Sequence, residues 1–200
     1  MVEAAARRAA AAGVMNARFV ATNAQTEALG SEFDAVYSRF GVMFFADPAA
    51  AFANIGGSLR SRGRLGCAVW APLADNPWMF VPTAAAASVL QADLTIPGPD
   101  EPGPFSLAEP DRVTAILTEA GFTDVGIAPV PGARLITTAT ADDDVRMLFE
   151  VGPLGEAYEA ADESTRQAAV DAVIAAVEPY RDDAGWRLPG AALSVTARWP

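Results

Sequence analysis

The sequence predicts an α/β protein with a mostly parallel sheet, on three observations. Short apolar runs of strand length alternate with stretches of helical periodicity. The run Arg64–Trp70 (RLGCAVW) is nearly continuously apolar, as strands buried on both faces are. Gly and Asp-Pro pairs punctuate the chain between these runs. Two hundred residues make one domain of ordinary size, long enough to bury a core without disulfides.

The elements follow in order. Met1–Ala12 is Ala/Arg-rich and helical by propensity, with Gly13 as its stop. Ala17–Thr22 (ARFVAT) is short and partly β-branched and is expected as a strand. Asn23–Gly30 is loop-like, and Phe33–Phe40 is the next strand. Asp47-Pro48 starts a helix, an acceptor at the cap followed by proline at the first helical position. Phe52, Ile55 and Leu59 are expected on one face of it, and Gly56-Gly57 loosens its end. Residues 71–105 form a long Pro/Gly-rich connection with a helical piece at Val81–Leu90, and connections of that length are often lids or binding loops. Pro110–Ala120 is a helix ended by Gly121, and Phe122–Pro129 a strand. Asp142–Val151 and Ser164–Val177 are further helices, the second with Ser164 and Gln167 in capping-box spacing. They fall in a helical insertion, residues 137–189, before a last strand, Ala191–Trp199.

Composition excludes several chemistries. The formal charge is −11, with no lysine and no histidine, which argues against a nucleic-acid surface. Without histidine there is no Ser-His-Asp or Cys-His nucleophile. The single cysteine, Cys67, sits in an apolar run and reads as a buried inert thiol in a reducing compartment. No segment reaches the roughly 20 apolar residues of a membrane span, and no leader is evident, so the expected location is cytoplasmic and no membrane partner is expected. The run Asp142-Asp143-Asp144 reads as a cap at a helix start rather than a metal site, and no metal is expected.

In open α/β sheets ligands bind beyond the carboxyl ends of strands. Three exits therefore stand out. Asn23-Ala24-Gln25 offers amides that both donate and accept, which suits a purine edge; Asn23 reads equally as a turn cap. Ser38–Phe45 offers backbone amides near Gly41 and a flexible, polarizable wall from Met43 with Phe44 and Phe45, though on composition alone Phe44 and Phe45 read as packing under a helix. Trp70 and the Asn76-Pro77-Trp78 loop offer flat surfaces with a hydrogen-bonding handle, or a loop anchor.

The order NARFVATNAQT, FDAVYSRFGVMFFADPAAAFANI, LRSRGRLGCAVW and NPW, with LAEPDRVTAILTEAGFTDV and LPGAALSVTARWP toward the end, resembles a class I S-adenosylmethionine-dependent methyltransferase of small-molecule type. The resemblance covers nearly the whole chain. It implies a Rossmann-like sheet, mostly parallel with an antiparallel C-terminal strand. The family's glycine-rich turn and the acidic ribose-holding residue that precede such a stretch are not in this sequence. The chain is thus expected to be a single partial domain over residues 1–200, lacking the first two strands. By position, the resemblance implies S-adenosylmethionine contacts from Asn23 (usually Asp in the family), Ala24, Gln25, Ser38, Arg39 and Phe40. It places Met43, Phe44 and Trp78 on the side of a small-molecule acceptor. No catalytic residue is implied, since many members work by proximity and orientation. The alternative reading is a non-catalytic binding or assembly module that does not bind the cofactor. Exposed strand edges would then favour homo-oligomers.

Overall fold

The computed structural model describes residues 1–136, 149, 153–183 and 185–200. Helix α1 (Val2–Ala11) comes first, then strand β1 (Phe33–Arg39), helix α2 (Pro48–Gly57) and strand β2 (Leu59–Trp70). Helices α3 (Pro77–Leu90) and α4 (Pro110–Glu119) lead to strand β3 (Thr123–Ile136). Helices α5 (Gly155–Ala160) and α6 (Glu163–Val177), the short β4 (Arg181–Asp182) and the long β5 (Gly185–Arg198) complete the chain. The expected helix at Asp142–Val151, with its three aspartates, lies outside the described residues except for Phe149.

The sheet runs β1-β2-β5-β3, with β4 paired to β5. β1 and β2 are parallel, Val36 opposite Leu65 and Ser38 opposite Cys67. β5 is antiparallel to both β2 and β3, so the closing strand inserts between them. The α/β class and the antiparallel closing strand are as predicted; among the described strands, parallel pairing is confined to β1 and β2.

Helices α2 and α4 cover one face. Phe52 and Ile55 of α2 and Val113 and Leu117 of α4 pack with Leu65, Cys67, Val69, Leu193, Val195 and Ala197 of the sheet in one buried cluster. Burying a side chain such as Phe52 contributes about 1.5–3 kcal/mol. A second cluster joins α3 to α6 through Ala86, Ala87, Val170, Val173 and Val177, with Leu188 of β5. Along β2 buried residues alternate with more exposed ones, and on the opposite face Tyr37, Arg64, Gly126 and Thr196 are not covered.

Several boundaries differ from the sequence reading. Ala17–Thr22 joins no strand pairing and all six residues are exposed. Leu59 does not extend the face of α2, because the Gly-Gly pair ends that helix and Leu59 opens β2. β2 therefore begins five residues before the apolar run, in its arginine-rich approach. Helix α3 starts at Pro77 rather than Val81, with proline in its first turn. The cap of α6 is Asp162, whose carboxylate accepts from the Thr165 N–H, and Ser164 lies inside the first turn.

Candidate functional site

The site forms where β1 and β2 end, around the entry to α2. Asp47 caps α2 by accepting from the Ala50 N–H at 3.0 Å, and Pro48 follows it. Asp47 also donates its own N–H to Gln25 Oε1 at 3.2 Å. Within the 23–25 loop, Asn23 Oδ1 accepts from the Gln25 N–H at 3.0 Å. Asn54, one and a half turns into α2, donates to both Ala24 O and Glu27 O at 2.8 Å. The loop, 22 to 30 residues away in sequence, is thereby held against the first turns of α2. Glu27 accepts from the Thr22 hydroxyl and the Asn23 N–H, which hold its carboxyl below its ordinary pKa.

At the exit of β1 the backbone turns sharply. Phe40 lies at φ 58°, a left-handed conformation uncommon outside glycine. Gly41 follows, where a Cβ would approach Ser38 Oγ to 3.2 Å. The turn lays the Phe40 ring flat on Trp70, centroids 4.0 Å apart and planes 13° apart. Trp70 in turn contacts Trp78 at 5.1 Å. Phe40, Trp70 and Trp78 thus form a continuous aromatic wall across the exits of β1 and β2.

Asn76 holds that wall in place. It is completely buried, donating to Ala71 O at 3.0 Å and Pro72 O at 3.1 Å. Its Oδ1 accepts from Trp78 Nε1 at 3.1 Å and from the Ala191 N–H of β5 at 3.0 Å. Every polar atom of the buried amide is matched, as burial demands. Gly190 beside it is required by space, since a Cβ there would come within 2.6 Å of Trp78 Cδ1.

The residues expected at the site divide accordingly. Asn23, Ala24 and Gln25 are brought to the entry of α2, and Ser38, Arg39 and Phe40 form the strand exit beside it. Arg39 is exposed and makes no ion pair among the described residues. Phe44 is 56 % exposed, and Trp78 closes the aromatic wall. Met43 is placed differently from its neighbours, 1 % exposed in the core with its sulfur accepting from the Trp70 N–H. Its carbonyl accepts from the Ser106 hydroxyl at 2.6 Å and the Gly103 N–H at 3.1 Å, which ties the Pro/Gly-rich connection to this exit.

Sequence reasoning missed the part played by Asn54. Its only local signal is an amide inside an otherwise apolar helix. Cys67 lies on the core face of β2, and burial pushes its thiol up to about 12, so it is protonated and inert at neutral pH. No group of three or more candidate ligands for a metal occurs among the described residues. No helix among them is long and apolar enough to cross a membrane.

Residues 1–67 match a methyltransferase-domain family model. No curated protein matches the chain in sequence. In structure it is similar to a candidate methyltransferase from Bacillus halodurans C-125, at TM-score 0.58 and 13% identity over 100% of this chain and 78% of that one. The YcgJ protein of Bacillus subtilis gives 0.55 and 15% over 99% and 77%. The [4+2]-cyclase SpnF gives 0.50 and 17% over 100% and 63%. The chain therefore shares the fold of these structures and carries, in residues 1–67, a match to the methyltransferase-domain family model.

Proposed function

We propose that this protein serves S-adenosylmethionine-dependent methyl transfer to a small-molecule acceptor. The observation that carries the reading is the fastening of the 23–25 loop, through Gln25, Asp47 and Asn54, to α2, the helix that follows the Ser38–Phe40 exit. Asn23 and Gln25 would meet the adenine edge, and the main chain of Ser38–Phe40 the methionine end. Phe44 and Trp78 would face the acceptor, with Met43 packed behind them. When bound, the cofactor supplies an electrophilic methyl group. The protein's own work is orientation, and a rigid aromatic wall suits that better than an acid or base would.

The fit covers one side of such a cofactor. The carboxylate nearest the 23–25 loop, Glu27, is engaged by Thr22 and Asn23. That engagement favours a second reading, a non-catalytic methyltransferase-like binding or assembly module that does not bind the cofactor. The cyclase neighbour also illustrates that fold alone does not fix chemistry.

Calorimetric titration of the purified chain with S-adenosylhomocysteine separates the two. The first reading expects saturable binding on the order of 10 µM, about 7 kcal/mol. Absence of a saturable signal at millimolar ligand would leave the second standing.

A further inference from the structure

The aromatic wall lies on the boundary between the two cores. Phe40 and Trp70 pack against the cluster of the sheet, α2 and α4, and Trp78 against that of α3 and α6. All three are half-buried, so the wall is a surface as well as a packing element. Ligand pockets favour boundaries between packed units and are lined mainly by apolar and aromatic side chains. Phe40 and Trp70 lie nearly parallel, whereas Trp78 is tilted 56° from Trp70. Asn76 Oδ1 fixes Trp78 at that tilt, directly on Gly190, where a Cβ would come within 2.9 Å of the indole nitrogen.

Hydrogen bonding and charge specify what the wall takes. The Trp78 indole N–H goes to Asn76, the Asn76 amide to Ala71 O and Pro72 O, and the Trp70 backbone N–H to the Met43 sulfur. The Trp70 indole N–H is the exception: it donates to no group among the described residues and is not sealed from solvent. The wall therefore offers ring surface, which rewards flat contact, and one open donor. Charge is nearly absent. Across residues 40–46, 68–92 and 188–195, which build the wall and its support, Asp75 is the one charged residue, in a chain where a fifth are charged. An ionised ligand would leave water there with no counter-charge from these segments.

We propose that the wall binds an uncharged, flat aromatic compound, with the Trp70 indole N–H donating to an oxygen that it carries, and that this compound is the methyl acceptor. Calling it the acceptor rests on the methyl-transfer reading; the ring site itself does not. NMR titration of the isotope-labelled full chain with three probes tests it: 2-naphthol, flat and neutral; 2-naphthoate, flat and charged; decahydro-2-naphthol, neutral and not flat. 2-Naphthol is expected to shift the indole signals of Trp70 and Trp78 saturably and to leave those of Trp186 and Trp199 unmoved. It is expected to bind at least about ten-fold more tightly than either other probe, or 1.4 kcal/mol. Trp70→Phe, which keeps a ring and removes the donor, is expected to weaken 2-naphthol about five-fold. Equal affinity for the three probes, tighter binding of 2-naphthoate, shifts confined to Trp186 or Trp199, or no saturable shift at millimolar 2-naphthol overturns the proposal. So does unchanged affinity in a folded Trp70→Phe chain; should that variant not fold, the wild-type probe series decides alone. 2-Naphthol binding without S-adenosylhomocysteine binding would remove the methyl-transfer reading and keep the ring site. Cofactor binding without 2-naphthol selectivity would do the reverse.

Discussion

Asn76 shows how one buried polar side chain fixes an apolar site. Its amide links the end of β2, the start of α3, β5 and the indole of Trp78 in four hydrogen bonds. Replacing it with alanine removes the acceptor of Trp78 Nε1 and of the Ala191 N–H, and the donor of Ala71 O and Pro72 O, in a place water reaches poorly. Asn76→Ala is expected to cost about 2–4 kcal/mol, the loss of four hydrogen bonds at about 0.5–1.5 each with partial relaxation. Urea denaturation measures that loss, and quenched or shifted tryptophan fluorescence reports whether Trp78 has moved. Phe40 makes a complementary point. Its left-handed backbone is tolerated because the turn delivers the ring onto Trp70, and a strand continued in regular geometry would not. Neither feature was legible in the sequence as such. The stretch Asn76-Pro77-Trp78 stood out as a strand exit, but a residue's burial and its reach to Ala191, 115 positions away, do not show locally.

At the scale of elements, the loop at 23–27 is held by α2 rather than by its own chemistry. Asn54 donates to two of its carbonyls, and Gln25 ties it to the cap of the same helix. Asn54→Ala is expected to leave global stability within about 1–2 kcal/mol, the worth of two surface-side hydrogen bonds. Hydrogen exchange across residues 23–27 should nonetheless accelerate markedly. Unchanged protection there would mean that the loop is positioned by something else. Elements whose signals are local were legible: the Asp-Pro entry of α2, the apolar run in β2, the Val113/Ile116/Leu117 face of α4 and the existence of the closing strand, whose antiparallel direction the resemblance implied. The strand expected at Ala17–Thr22 failed for a non-local reason. Its β-branched composition favours an extended chain, but a strand needs a ladder partner, and the described residues offer it none. The early start of β2 likewise depends on pairing with β1 at Phe33, which composition at Arg60–Gly63 does not announce.

For the whole molecule, burial is uneven. No residue before Val42 is buried, whereas both cores lie in the part that follows. The stretch matching the methyltransferase domain, residues 1–67, therefore includes the least buried part of the chain, and it includes both segments proposed to meet the cofactor. The resemblance supplied those segments from the sequence. The attachment of the 23–25 loop to α2 came only with the fold, because the bonds that make it span 22 to 30 residues. The wall formed by Phe40, Trp70 and Trp78 stands on the well-packed side, braced by Asn76 and by the space at Gly190. The 23–25 loop and the Ser38–Phe40 exit are proposed to act as one cofactor-binding surface, with Trp78 on the acceptor side. The most direct test is a backbone amide NMR titration of the full chain with S-adenosylhomocysteine. Saturable shifts are expected at Ala24, Gln25, Ser38, Arg39 and Gly41, with one shared dissociation constant, and little change in α6. Shifts elsewhere with those amides unmoved, or no saturable shift at millimolar ligand, would contradict it.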